Sequence, residues 1–457
     1  MSELPTGWAE TSIGDVTAYV SRGKSPKYAE TSRLPVINQK AIRWFGIQDE
    51  NLKFIHEDQF DQWTPERFIQ TGDVLWNSTG TGTIGRACLV RPEHLHPPKV
   101  VDSHVTIVRP SAAIDPRFLF AWIRGPEVQS GLEELASGST NQIELNRSTV
   151  IATRVPLAPL PEQKRIADKL DAVLARVDAC RGRLDRVPAI LKRFRQSVLA
   201  AATSGELTRE WREGAGAEWD EKSIEELCGV ERYAMAIGPF GSNLKVADYR
   251  SEGVPLVFVR EIRARTFGGP ATKYVSPEKA VELKAHSVRP GDLLITKMGD
   301  PPGDTAIYPL DRPPAIMTAD VVCLRVDPHI ADSQFVGHAI ESPLGRERMG
   351  EITAGVAQQK ISLERLRTMR LPTPPVREQV EIARRVGELF ELADQLERRA
   401  IAGRGCVDKL TPSLLAKAFR GELVPQDPND EPASVLLARL KGAEPVGAKK
   451  RKGSAKA

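Results

Sequence analysis

Pro159-Leu-Pro-Glu-Gln-Lys-Arg-Ile166 returns 216 positions later as Pro375-Val-Arg-Glu-Gln-Val-Glu-Ile382. The correspondence runs without a gap from Arg154–Thr208 onto Arg370–Val424, and it closes with Gly205-Glu-Leu207 against Gly421-Glu-Leu423. Farther out, Trp8-Ala-Glu-Thr-Ser-Ile13 resembles Trp219-Asp-Glu-Lys-Ser-Ile224, and Gly72-Asp73 resembles Gly291-Asp292. A period this long exceeds that of a solenoid repeat, so it means two copies of a whole domain with its connector. Such a chain presents two similar surfaces at a set separation.

The connectors read as helices. Val155-Pro-Leu-Ala-Pro-Leu-Pro161 breaks regular structure, and Pro161 suits a helix first turn. Ile166, Leu170, Val173, Leu174, Val177 and Leu184 then recur at three-to-four spacing. The pattern predicts an amphipathic helix of about 25 residues ending near Pro188, then a second piece over Ile190–Ala202. In the second copy Leu371-Pro-Thr-Pro-Pro375 precedes the stripe Ile382, Val386, Leu389, Phe390, Ala393 and Leu396. Each stripe needs a cover, and the other stripe is the nearest equivalent surface. The two long helices are therefore expected to pair as an antiparallel coiled coil, against the alternative that each lies on its own domain. About 26 helical residues would make a rod of roughly 40 Å.

The remaining sequence is mixed. Pro35–Asn38, Asp73–Trp76 and His104–Arg109 read as strands in the first copy; Pro255–Val259, Asp292–Thr296 and Ala319–Arg325 do so in the second. Pro116–Leu135 and Ser333–Met349 read as helical. The expected fold is α+β: two tandem mixed α/β domains separated by two long helices, a pseudo-twofold internal repeat. Its segments are a first domain over 1–155, a helical spacer over 156–210, a second domain over 211–371, a second spacer over 372–424, and a C-terminal helix with a basic tail over 425–457. The tail, with Lys449-Lys-Arg-Lys452 and Lys456 among small residues, is expected to be a disordered electrostatic tether.

Composition narrows the class. The 457 residues are 41% hydrophobic and 27% charged, ordinary for a globular chain. Without a run of 18 apolar residues, no membrane span is expected, and Met-Ser-Glu-Leu-Pro does not begin like a signal peptide. Five scattered cysteines without CxxC spacing suggest reduced thiols, a cytoplasmic location and no metal site. A net charge of +4 permits a polyanion partner without arguing for one. Gly80-Thr-Gly-Thr-Ile-Gly85 satisfies GxGxxG, but Arg86–Val90 reads as a strand where a dinucleotide site needs a helix, so a glycine turn is expected. Asp300-Pro-Pro-Gly303 lacks the aromatic residue of an amino-methyltransferase motif. Glu282-Leu-Lys284 has no partner acid for a nuclease, and no P-loop occurs. No catalytic constellation is expected.

The paired connectors closely resemble those of the specificity subunits of type I restriction-modification systems. The likeness rests on the two Pro/Glu-Gln stretches, on Ser197–Leu207 with Ser413–Leu423, and on Val424-Pro-Gln-Asp-Pro-Asn-Asp-Glu-Pro432 leading into Val435–Leu440. It covers the whole chain in layout, specifically in the connectors and loosely in the domains. The resemblance implies two target-recognition domains, each reading half of a split, asymmetric site in double-stranded DNA. It implies helices that space the domains and dock two modification (methyltransferase) subunits, with restriction/translocase subunits completing the complex. It further implies no cofactor on this chain, S-adenosylmethionine being bound by the partners. A methylation-only system, a cryptic enzyme and a coiled-coil adaptor that binds only proteins remain the alternatives.

Base edges are read by Arg, Lys, Asn and Gln, and phosphates are held by Lys, Arg and hydroxyls. The dense patches of such residues give the candidate DNA contacts. In the first copy these are Arg22, Lys24, Lys27, Asn38, Gln39, Lys40, Arg43, Asn77 and Ser78. In the second they are Ser242, Asn243, Lys245, Arg260, Arg263, Arg265 and Lys297. Aligning Pro35 with Pro255 matches Lys40 to Arg260 and Arg43 to Arg263. The patches otherwise differ, which predicts unlike half-sites.

Overall fold

The runs expected as strands build the same sheet twice. The computed structural model describes residues 4–80, 82–137, 144–212, 218–263, 265–269, 271–299, 302–354 and 360–442. In the first copy Thr17–Arg22, Val105–Pro110, Val74–Asn77 and Ala87–Leu89 lie side by side in that order, all antiparallel. In the second, Met235–Ile237, Val321–Leu324, Leu293–Thr296 and Thr305–Ile307 do the same. A smaller sheet in each copy contains a parallel pair, Pro35–Ile37 with Val100–Val101 and Val254–Val257 with Ala315–Met317. Val74–Asn77, Leu293–Thr296 and Val321–Leu324, rich in Val, Ile and Leu, are buried throughout because both faces are covered.

The paired Gly-Asp dipeptides close the same turn in both copies. Gly72 and Gly291 have φ of 90° and 89°, where a side chain would be strained. The buried Asp73 accepts from the Gln70 amide (2.8 Å) and Arg109 Nε (2.8 Å). Asp292 accepts from the Arg289 amide (2.8 Å) and Arg325 Nε (3.0 Å).

The helices, in chain order, are α1 (Pro116–Ile123), α2 (Pro126–Ser137), α3 (Arg147–Ala152), α4 (Leu160–Leu184), α5 (Val187–Ser204), α6 (Pro277–Glu282), α7 (Ser333–Glu341), α8 (Pro343–Glu351), α9 (Leu363–Thr368), α10 (Val376–Phe419) and α11 (Ala433–Gly442). The single helix expected over Pro116–Leu135 is two, broken before Pro126, and that over Ser333–Met349 is broken before Pro343. Proline lacks the amide a helix interior needs but is tolerated in a first turn. The same rule separates α4 from α5 at Pro188. At the 216 offset that position is Arg404, and α10 runs on uninterrupted.

The Glu-Gln pair at the start of each long helix is a staple. Strand Ala9–Ser12 pairs with Arg154–Leu157, bringing Trp8 over α4, where its indole donates to Glu162 Oε2 (3.1 Å). Strand Asp220–Ser223 pairs with Arg370–Thr373, and Trp219 donates to Glu378 Oε2 (3.2 Å). Gln163 accepts from the Asp115 amide (2.8 Å) and donates to Ala158 O (2.8 Å). Gln379 accepts from the Asp332 amide (2.8 Å) and donates to Pro374 O (2.7 Å). Asp115 and Asp332 are themselves the N-caps of α1 and α7. Each staple therefore fixes a long helix to the cap of the helix beneath it.

The described residues divide into two compact units that cut across the consecutive segments expected from sequence. One joins Met1–Leu184 with the chain from Gly403 onward; the other is Asp185–Ala402. In the first, Ile166 and Leu170 of α4 share a core with Leu415, Ala418 and Phe419 of α10. Phe419 meets Phe118 (5.0 Å) and Trp122 (4.8 Å), and Arg181 binds Asp408 (3.2 Å). In the second, Val198, Leu199 and Ala202 of α5 share a core with Ile382, Val386 and Phe390, and Arg195 binds Asp394 (2.6 Å) and Glu397 (2.7 Å). The pairing is antiparallel as expected, but its register differs. The stripe of α4 is covered by the last part of α10, and the stripe of α10 by α5. The pieces after each stripe supply that cover because they are apolar at matching positions, Leu199 and Ala202 corresponding to Leu415 and Ala418.

Among the described residues no helix is long and apolar enough to cross a membrane. The basic tail, Asp300 and Pro301 lie outside the described residues.

Candidate nucleic-acid interface

Strand ends at one edge of the first copy gather the loops that sequence singled out. Gly23 N donates to Val105 O (3.0 Å), Asp102 N to Ile37 O (3.0 Å) and Ser78 N to His104 O (2.8 Å). Asn77 Nδ2 donates to Gln39 O (3.0 Å). Patches around residues 22–28, 38–43 and 77–79, far apart in the chain, thus become one surface, joined by 102–104. The loops pass so closely that a Cβ on Gly23 would lie 2.1 Å from Val101 O.

The second copy repeats the arrangement. Gly238 N donates to Val321 O (3.0 Å), Thr318 N to Val257 O (2.9 Å) and Lys297 N to Asp320 O (2.8 Å). A Cβ on Gly238 would lie 1.8 Å from Thr318 O. Leu145 N donates to Ser78 O (2.8 Å) in the first copy, and Ile361 N donates to Lys297 O (3.1 Å) in the second. These bonds make Ser78 equivalent to Lys297 and Glu144 equivalent to Lys360.

Several candidates in the first copy serve the surface by building it. Asn38 is buried; its Nδ2 donates to Asn51 O (2.7 Å) and its Oδ1 accepts from Lys40 N (2.8 Å). Asn77 is buried against Gln39 O and Thr83 O, and Ser78 Oγ meets Thr106 Oγ1 (2.6 Å). These three side chains point inward, which corrects their assignment as direct contacts: short polar side chains at crowded strand ends satisfy backbone groups first. Arg22 is half-buried and bound to Ser103 O (2.9 Å) and Glu144. Lys24 donates to Gln62 O (2.9 Å), and Lys27 pairs with Asp58 (3.0 Å) at the exposed margin. Gln39 is half-buried beside Thr83 Oγ1 (3.4 Å).

Lys40 and Arg43 stand freest. Arg43 ends the strand Ile42–Arg43 of a hairpin with Gly46–Ile47, and its counterpart Arg263 ends Ile262–Arg263 of a hairpin with Thr266–Phe267. The alignment of the two arginines therefore holds in the backbone. Lys40, Arg43, Trp44, Phe45, Thr83 and Arg86 line one shallow depression. Arg43 Nη1 (3.3 Å) and Arg86 Nη1 (3.5 Å) both donate to Ile42 O. Burial, and then the positive charge of Arg43, hold the Arg86 guanidinium below its ordinary pKa. Sequence inspection passed over Arg86 because it follows the rejected glycine motif. That motif is a turn, with Gly80, Gly82 and Gly85 all at positive φ, and it leads into strand Ala87–Leu89.

In the second copy Arg260 lies over Phe258 (4.3 Å) and donates to Thr272 Oγ1 (2.6 Å), while Arg263 is exposed. Lys297 Nζ lies over the exposed Phe240 ring (4.6 Å), joining it to the loop that carries Ser242, Asn243 and Lys245. Burial pulls Lys297 below its ordinary pKa. Asn243 and Lys245 are exposed. Arg265 departs from the set: its guanidinium lies over Phe390 of α10 (4.4 Å) and 3.8 Å from Glu341, so it ties the hairpin to the helix. Glu282 pairs with Lys279 on an exposed helix face (2.8 Å), and among the described residues no group of His, Cys, Asp or Glu is placed to hold a metal.

Residues 5–189 match the family model described as the type I restriction modification DNA specificity domain. The type I restriction enzyme EcoDI specificity subunit of Escherichia coli is 30% identical over 352 residues, 72% of this chain and 76% of that one. The chain belongs to the family of type I specificity subunits. The EcoKI specificity subunit of Escherichia coli K12 is 27% identical over 96% of both chains. The fold is that of the HsdS subunit crystal structure from Thermoanaerobacter tengcongensis, with TM-score 0.59 and 21% identity over 92% of this chain and 98% of that one. As a type I specificity subunit, the chain serves DNA sequence recognition.

Proposed function

We propose that the chain reads a bipartite, asymmetric site in double-stranded DNA, one half with each copy. The observation that supports this most is a common loop frame carrying unlike chemistry. Ser78 stands where the second copy has Lys297, and Glu144 where it has Lys360. With the Ser78 hydroxyl turned inward, the exposed Glu144 carboxylate in one copy and ammonium groups in the other would select different base edges. The arginines at the two hairpins, Arg43 and Arg263, would hold register on each half.

The chain acts without chemistry of its own. Two modification subunits dock on its helices, bind S-adenosylmethionine and extrude the target adenines, and restriction subunits join the same complex. The helices set the gap between half-sites. Purified chain with labelled S-adenosylmethionine and DNA should transfer no methyl group, whereas the reconstituted complex should. Inserting four residues after Leu170, with four more in the facing part of α10, adds about 6 Å of rise and should lengthen the preferred gap by one to two base pairs. Methyl transfer by the chain alone, or an unchanged gap, would refute the corresponding half of the proposal.

A further inference from the structure

Phe45 stands at the tip of the first copy's hairpin with 75% of its surface exposed. Leaving such a ring in water forgoes on the order of 1.5–3 kcal/mol of burial, and a polar residue would serve the turn equally well. Its neighbours in the depression are Trp44, Thr83 and three cations, Lys40, Arg43 and Arg86. The two guanidiniums are bound to neutral carbonyls, those of Ile42 and Gly82. Among the described residues none of the three cations pairs with an acid. An apolar ring inside an uncompensated cationic rim matches a partner with an anionic outside and an apolar inside. Duplex DNA is such a partner: its phosphates would meet the cations, and its base stack is the apolar surface within reach.

We infer that Phe45 enters the half-site gripped by the first copy as a wedge between adjacent base pairs, with Lys40, Arg43 and Arg86 holding the flanking phosphates. An inserted apolar side chain unstacks a step and kinks the duplex, and the step that yields most easily becomes part of the specificity. The second copy has Arg265 at the matching hairpin position, folded onto Phe390, so the wedge belongs to one half-site. The inference rests on the two-half-site proposal above, and the charged rim favours DNA over an apolar protein surface as the occupant of this tip.

The test uses the complex reconstituted with its modification subunits and DNA bearing 2-aminopurine at successive positions, omitting the methylated adenine, which is extruded in any case. One step, in one half-site only, should brighten on binding. Phe45→Ala should abolish that signal and weaken binding about tenfold, Phe45→Trp should keep both, and Val281→Ala, also an exposed apolar residue, should change neither. Specific binding by the native complex with no brightened step, or Phe45→Ala binding like the native protein, overturns the wedge and leaves the two-half-site proposal standing. Loss of subunit assembly in Phe45→Ala, with DNA contacts unchanged, assigns the ring to a protein partner and overturns it too. Absence of any sequence-specific binding by the native complex removes both.

Discussion

Gln379→Met removes the glutamine half of one staple while keeping the side chain's volume. Gln379 is fully buried, accepts from the Asp332 amide at 2.8 Å, and donates to Pro374 O at 2.7 Å and Ile330 O at 3.3 Å. Methionine leaves the amide and the nearer carbonyl without partners. A buried polar group left unsatisfied costs about 1–3 kcal/mol, so about 3 kcal/mol is expected for the pair after relaxation. At about 1.4 kcal/mol per decade, amide exchange by local opening should accelerate roughly a hundredfold. Hydrogen exchange read by mass spectrometry on peptides spanning 330–341 and 374–383 reports this directly. Peptides spanning 113–123 belong to the other copy's staple and should be unaffected. Gln163→Met should show the converse. Acceleration below about threefold would mean the staple carries little energy and would refute the reasoning.

Three further outcomes follow from the same structure. Arg43→Ala and Arg263→Ala should each weaken DNA binding by the modification complex and reduce its salt dependence while leaving the methylated motif unchanged, as read by band shift and by sequencing methylated DNA; a relaxed half-motif in either variant would contradict their role on phosphates. Burial, then Arg265, pull His338 down to about 4 from its ordinary 6.5, so the unfolded chain binds the extra proton first as pH falls. Stability of its unit should therefore decline by about 2 kcal/mol between pH 7 and pH 5, and His338→Leu should flatten that slope in urea titrations. Gly23→Ala and Gly238→Ala each force a Cβ into a backbone carbonyl, so both should lose soluble, cooperatively folding protein, whereas Gly131→Ala, where nothing lies within 4 Å, should not.

The duplication was legible because it is written in residue identity, and the strands because their apolar runs end in turns. The staple was legible only as a repeated motif. What Glu162 and Gln163 hold depends on Trp8 and Asp115, which strand pairing and α1 bring from distant sequence. Register failed for a related reason: the stripes of α4 and α10 look like each other's best partners, yet each is covered by the piece that follows the other stripe. For the interface, sequence located the loops better than the side chains. Asn38, Asn77 and Ser78 are polar in type but spent on backbone groups. Arg86 and Phe45 were missed because one sits behind a glycine turn and the other is apolar. The hairpin equivalence of Arg43 and Arg263 needed only the Pro35–Pro255 alignment.

Sequencing the methylome of cells with and without this chain tests the proposed two-headed recognition most directly. A single asymmetric motif, two unlike half-sequences around a gap of fixed length, should disappear when the chain is removed. An unbroken motif, a palindrome, or methylation that persists without the chain would contradict it.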